Sequence, residues 1–298
     1  MPEIPSSQQI PNIETIDNEK KQSFMFGNRT LLNDQDAFKH NAWDRVEWTT
    51  QDLENALEKV KIQKQSPVTE EMAMVYNADP AAYWNDFYAQ HNNGFFKDRK
   101  WLKLEFPEIF ESRDILEIGC GAGNTLFQIT DPTRFCYGTD YSANAVQLVQ
   151  NNPAYDEKLC RAFVWDVTSP IPVEIGLASL DIVICIFVLS ALEPSTWAVA
   201  AENIFKLLKP GGLVLVRDYG RHDLAQLRFK SGRFLQDSFY VRGDGTRVFF
   251  FTNEDIQGIF SKFNIVQNEM DRRLLVNRLR KIKMHRCWVQ AKFRKPLE

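Results

Sequence analysis

The segment Glu117-Ile118-Gly119-Cys120-Gly121-Ala122-Gly123 sets an acid and three alternating glycines at the end of a short apolar run, DILEIGCG over 114–121. Glycine adopts positive φ freely and lets a ligand reach the backbone. A strand that enters such a loop and leaves it as a helix can hold a nucleoside-bearing cofactor. The spacing is G-x-G-x-G, with Asn at 124, and not the dinucleotide G-x-G-x-x-G. Asp140 ends the next β-like run, where a carboxylate can accept both ribose hydroxyls. Asp166 ends a third, where a carboxylate can accept from an adenine amino group while Val167 packs on the ring. Ile186 and Phe187 end a fourth. Any one of these acids is more often a turn residue or a helix cap. Together, in register at the carboxyl ends of four strands, they favour a nucleoside cofactor site.

The elements that must position these residues alternate. Strand-like runs at 114–121, 135–142, 161–167, 180–190 and 213–220 are separated by helical segments after 124, at 143–152 and at 196–208, the last stopped by Lys209-Pro210-Gly211-Gly212. That alternation predicts a parallel, doubly wound α/β sheet. LDIVICIFVLS is almost wholly apolar and reads as buried on both faces. FYVRGDGTRVFFF over 239–251 reads as a hairpin around Gly243-Asp244-Gly245. A helix over 252–262 follows, opened by a Thr cap, and then a basic strand or hairpin.

Upstream, residues 1–23 are polar and proline-containing and read as a disordered tail. Residues 24–48 are aromatic-rich and must pack on something larger. TQDLENALEKVKIQK over 50–64 places Leu53, Leu57 and Val60 at helical spacing, with Thr50 as N-cap. A helix over Pro80–His91 carries Tyr83, Trp84, Phe87 and Tyr88 on one aromatic face.

Composition bounds the partners. The 298 residues carry 36 Lys and Arg against 39 Asp and Glu, a net charge of -3. A uniformly basic nucleic-acid binder is excluded. The charge is graded, however: residues 271–298 hold ten basic and two acidic side chains. That segment reads as a source of salt-dependent phosphate attraction, or as a solvated basic tail. No run of about 18 apolar residues suggests a membrane span, and the N-terminus has neither a secretory nor a mitochondrial leader pattern. Five cysteines without a C-x-x-C pair argue against zinc or a disulfide framework. They suit reduced thiols in the cytoplasm, with the nucleus left open.

The order Glu-x-Gly-x-Gly, Asp, Asp, an apolar fourth strand, Lys-Pro-Gly-Gly and a late hairpin resembles the class I S-adenosylmethionine methyltransferases over about 114–290. The resemblance implies a Rossmann-like, seven-stranded, mostly parallel sheet with a C-terminal antiparallel hairpin, and the GDG hairpin would supply the last two strands. WNDFYAQHNNGFFKDRKWL, LEIGCGAGNTLF, IFVLSALEP, LLKPGGLVLVRDYGRHDLAQLRFK and FYVRGDGTRVFFFT further resemble the eukaryotic tRNA N(3)-methylcytidine methyltransferases. FGNR…FKHNAWDRVEW resembles their threonine-tRNA branch. The division implied is a tail over 1–23, an extension over 24–112 that binds RNA and covers the cofactor, and a methyltransferase domain over 113–298.

The resemblance implies S-adenosylmethionine as cofactor and the tRNA anticodon loop as partner, with cytidine 32 of tRNA(Thr) as target. A synthetase or other tRNA-binding helper is left open, and no membrane is implied. Trp84 and Tyr88 would close over the cofactor, and Gly119, Gly121, Asp140, Asp166, Val167 and Ile186 would contact it. Phe96, Lys97, Arg99, Tyr219, Arg228, Phe229, Tyr240, Arg242 and Arg247 are the candidates for the base and its flanking phosphates. Cytosine N3 has a free lone pair, so alignment is needed rather than a base. The product ring is cationic, and Asp98 or Asp218 is the carboxylate proposed to stabilise it. Cys120 and Cys185 read as small buried residues rather than nucleophiles. Three alternatives remain: a methyltransferase of another RNA, a protein or a small molecule; a non-catalytic RNA-binding adaptor; and a nicotinamide dehydrogenase.

Overall fold

The structure is a computed structural model that describes residues 29–91, 99 and 101–298. The expected tail, residues 24–28 and the FFKD run with Phe96, Lys97 and Asp98 lie outside the described residues.

The extension contributes a short strand, β1 (Ala42–Asp44), and three helices, α1 (Thr50–Lys64), α2 (Glu70–Ala78) and α3 (Pro80–His91). The cap of α1 is Thr49, one residue earlier than the sequence suggests, because Asp52 returns a bond to the Thr49 amide and closes a capping box. The leucine stripe expected to bury α1 does not do so: Leu53 and Leu57 stay 43% and 52% exposed, while Ala56 and Gln63 are buried. The Gln63 amide instead donates to the carbonyls of Gln226 and Phe229 and accepts from the Tyr240 hydroxyl. Helix α2, capped by Thr69, is an addition to the predicted elements.

The main body follows as α4 (Leu102–Glu105), β2 (Asp114–Ile118), α5 (Leu126–Ile129), β3 (Phe135–Asp140), α6 (Ala143–Gln150), β4 (Cys160–Val164), β5 (Leu180–Ile186), α7 (Trp197–Leu207) and β6 (Leu208–Tyr219). Strands β2 to β6 pair in parallel, as the alternation predicts. Side chains alternate across the sheet with period two. Ile115, Ile182, Ile184, Leu213 and Leu215 face one apolar layer, and Leu116, Val183, Cys185, Val214 and Val216 the other. The chain winds outward from β2 through β3 to β4, then returns to the other side of β2 with β5. The carboxyl edge at that reversal is where such sheets hold ligands.

Beyond β6 come α8 (Leu224–Leu227), β7 (Phe234–Gln236), β8 (Phe239–Val241), β9 (Arg247–Phe249), α9 (Asn253–Ile259), β10 (Asn264–Asn277) and β11 (Ile282–Arg294). The GDG hairpin is therefore β8–β9, but it joins β7 in a separate three-stranded sheet and not the main one. Tyr240, Val248 and Phe250 build its own small core with Phe229 and Phe234. The last two strands of the main sheet are β10 and β11. The full order is β1-β10-β11-β6-β5-β2-β3-β4, so β1 adds an eighth strand to the seven expected.

Candidate active site

The loop after β2 turns through Gly119 and Gly121 at φ of +66° and +55°. A Cβ at Gly121 would stand 2.6 Å from the Tyr88 hydroxyl, so a side chain there meets α3 as well as backbone strain. Asp140 at the end of β3 braces this loop. Its Oδ2 accepts the Gly121 amide at 3.0 Å and its Oδ1 accepts the Ser142 amide at 2.9 Å. Burial pushes its carboxyl up to about 6 against the pull of those amides. Asp166 Oδ1 accepts from the amide and hydroxyl of Thr168, which leaves Oδ2 without a partner among the described residues.

A cavity of about 400 Å³ opens over this edge. Gly119, Gly121, Asp140, Asp166, Val167 and Ile186 border it, and Trp84 and Tyr88 cover it from α3. The structure thus brings together all eight residues predicted for the cofactor. The device that seats α3 was missed by the sequence reading. Asn85 accepts from the Ser142 hydroxyl at 2.8 Å and the Asn144 amide at 3.2 Å, and its carbonyl accepts from the Asn144 side chain at 2.9 Å. Helix α3 is thereby fixed to the start of α6.

Arg99 borders the same cavity, against the Glu117 carboxyl. Its Nη1 and the Glu117 Oε2 are both buried without hydrogen-bond partners among the described residues. Burial lowers the Arg99 guanidinium and pushes Glu117 up to about 7, although Arg99 opposes the latter. A ligand bearing both a carboxylate and an ammonium satisfies both orphans, as the amino-acid end of S-adenosylmethionine does. Cys120 and Cys185 are buried, and burial pushes their thiols up, away from nucleophile chemistry.

The other half of the cavity is aromatic and cationic. Phe187, just past β5, is held at φ +59°, an unfavourable conformation for a bulky side chain. Its amide donates to the Arg217 carbonyl at 2.8 Å, and its ring lies 4.8 Å from Tyr219. The Arg242 guanidinium covers the other partner, 5.5 Å from the Tyr219 ring. Trp101 and Trp288 line the wall with buried Arg217 between them, 5.0 Å and 5.1 Å from their rings. Neither indole was among the predicted site residues: Trp101 reads equally as a core residue closing the GFFKDRKW run, and no local pattern marks Trp288.

Several predicted substrate residues stand elsewhere. Tyr240 is fully buried and stacks on Phe229 at 4.8 Å, so both belong to the core of the small sheet. Arg247 donates to Asn77 at 2.8 Å and to the Ala191 carbonyl at 3.3 Å, tying α2 to the cavity rim instead of lining it. Arg228 is exposed at the end of α8, outside the cavity. Asp218 is enclosed behind the wall, where its oxygens accept the Ser190 and Tyr219 amides and burial pushes it up to about 6. The basic segment 271–298 is no tail. It forms most of β10–β11, and Arg273, Lys283, Arg286 and Lys292 each meet a carboxylate.

A family model described as a methyltransferase domain matches residues 116–214. Across nearly the whole length, the chain is 47% identical to a tRNA N(3)-methylcytidine methyltransferase, trm140, of Schizosaccharomyces pombe, with 91% of this chain and 92% of that protein covered. The chain belongs to the tRNA N(3)-methylcytidine methyltransferase family. A tRNA(Thr) (cytosine(32)-N(3))-methyltransferase of Saccharomyces cerevisiae in this family is 46% identical over 92% of the chain, which spans 46% of that longer protein. The human family member METTL2B is 39% identical, with 91% of the chain and 94% of that protein covered. Among solved structures, S-adenosylmethionine-dependent methyltransferases of Clostridium acetobutylicum and Methanosarcina mazei share the fold, with TM-scores of 0.53 and 0.51. They are 13% and 18% identical and cover 72% and 68% of the chain, matching 99% and 100% of their own.

Proposed function

We propose that this family member transfers a methyl group from S-adenosylmethionine to N3 of cytidine 32 in the anticodon loop of tRNA(Thr). The observation that carries the reading is one cavity with two unlike halves in a chain that matches named tRNA methyltransferases over about nine-tenths of its length. One half has the glycine turn, the two acids and the orphaned Arg99–Glu117 pair. The other has Phe187, Tyr219, Trp101 and Trp288 with arginines around them. The cofactor supplies a methyl group on an electron-poor sulfonium.

This chain's residues do the rest. Asp140 and Asp166 hold ribose and adenine, Val167 and Ile186 pack on the nucleoside, and α3 excludes water through Trp84 and Tyr88. The extension therefore acts as cofactor cover and, by its place beside the cavity, as part of the RNA-binding surface. Phe187 and Tyr219 offer ring faces to an extruded base, since N3 lies on the pairing edge. Asp218 acts at one remove: it fixes the Ser190 and Tyr219 backbone and adds a buried carboxylate behind the ring that becomes cationic. Asp98 is the second carboxylate assigned to that charge. A cytoplasmic location, with the nucleus left open, is part of this reading, and the five free cysteines support it.

Nucleoside mass spectrometry of individually purified tRNAs, from cells with and without the protein, tests the reading. Loss of 3-methylcytidine from tRNA(Thr) is expected, and an unchanged content overturns it. Methylation by purified protein alone, compared with protein plus cell extract, decides whether a tRNA-binding helper is needed.

A further inference from the structure

We propose that Arg286 is a phosphodiester ligand of the cavity, gripping the RNA backbone beside the target nucleotide; the inference rests on the RNA methyltransferase reading above. Arg286 stands on β11 two residues before Trp288, so both side chains leave the same face of the strand. Its guanidinium lies 4.8 Å from the Trp288 ring, and its Nε donates to Oδ2 of Asp223 at 2.9 Å. Asp223 is fully buried, and its charge is shared out: the same Oδ2 accepts the Cys287 amide at 2.7 Å, and Oδ1 accepts the Ala225 amide at 2.7 Å. One edge of the guanidinium is therefore tied and one face is covered. Arg286 borders the cavity, and its Nη groups make no hydrogen bond among the described residues. An arginine held in this way presents a fixed fork that matches two phosphate oxygens. Little rotamer freedom is left to lose on binding.

Position separates this fork from the cofactor. The strand order β2-β5-β6-β11 puts Arg286 three strands from the glycine loop, roughly 14 Å at about 4.8 Å per strand. Asp140 and Asp166 lie beyond β2, farther still. Trp288 pairs in register with Tyr219, whose ring is covered by Arg242. Aromatic faces with a guanidinium on either side suit a nucleotide, with rings for the base and cations for the backbone. The neighbouring cations on this face are already engaged. Arg273, opposite Arg286 in register, is bound by Asp271 and Glu105, and Lys292 by Glu108.

The test compares the wild type with Arg286→Gln and Arg286→Lys, measuring tRNA binding against salt, tRNA methylation, and S-adenosylmethionine binding by calorimetry. In Arg286→Gln, tRNA affinity is expected to fall about tenfold to a hundredfold. The salt slope should drop by about one, with cofactor affinity unchanged. Arg286→Lys should keep the wild-type salt slope and recover only part of the affinity, because the charge returns without the fork. Unchanged tRNA affinity in both variants overturns the proposal, as does a loss of cofactor affinity that matches the loss for tRNA. If Arg286→Gln unfolds around the bared Asp223, the lysine variant decides, and full wild-type affinity there overturns the fork. Wild-type protein that binds tRNA without methylating it overturns the functional reading alone, because the binding comparison still judges Arg286.

Discussion

Glu117 binds its proton more tightly in the folded protein than in the unfolded chain, since burial pushes it from 4.5 to about 7. Its contribution to stability is complete below the unfolded value and is lost as pH rises through the folded one, a change of roughly 3 kcal/mol. Asp140 and Asp218, each pushed up to about 6, act with the same sign. The thermal stability of the cofactor-free protein should therefore fall from pH 5 to pH 8. Glu117→Gln is expected to remove roughly half of that change, and an unchanged pH dependence would disprove this account of the pocket. The sequence exposed only part of this chemistry. Asp140 and Asp166 are visible because strand ends can be counted. The Arg99–Glu117 pairing, the strained backbone at Phe187 and the Trp101–Arg217–Trp288 stack bring together residues from distant segments, and no local pattern encodes them.

At the scale of elements, α3 is a cover held by polar contacts at its middle. Asn85→Ala strands the Ser142 hydroxyl and the Asn144 amide and frees Trp84 and Tyr88 to move. Each lost or orphaned bond costs about 1 kcal/mol or more, so S-adenosylmethionine affinity is expected to fall roughly tenfold. Calorimetry at fixed pH checks this, and wild-type affinity would show that α3 is seated by its aromatic residues alone. The parallel strands were legible because their apolar runs are short, regular and bounded by turns. Helix α1 misled because its attachment is Gln63 and not its leucines. Strands β10 and β11 were obscured for a related reason: inward positions hold Gln267 and also Asp271, Gln290 and Lys292, whose partners are Arg217, Glu105 and Glu108. A hydrophobic alternation cannot register a strand whose buried face is ionic, so the more conspicuous GDG hairpin took its place.

For the whole molecule, the ten basic residues of 271–298 do not act as ten phosphate ligands. Ten such contacts give a slope of log affinity on log salt near about −9. With Arg273, Lys283 and Lys292 held by carboxylates and Arg294 and Lys295 on backbone carbonyls, five of the ten, Arg286 among them, remain for phosphate, and tRNA binding is expected to show about half that slope; a value near −9 would contradict these contacts. The extension is as much a part of the body as the hairpin is. Trp43 of β1 is buried against Leu274 and Val276, and Asp44 meets Arg273 at 3.6 Å. Removing residues 1–47 should bare the β10 edge, lower the melting temperature and cause aggregation, measurable by light scattering during heating.

The pairing of Ala42–Asp44 with Arg273–Leu275 joins points more than two hundred residues apart. During synthesis, the early strand waits until nearly all the rest has emerged before it finds its mate. Contacts of such long sequence separation form late. A chain interrupted before β10 therefore leaves its first strand unmated, with an open edge that can pair with other chains.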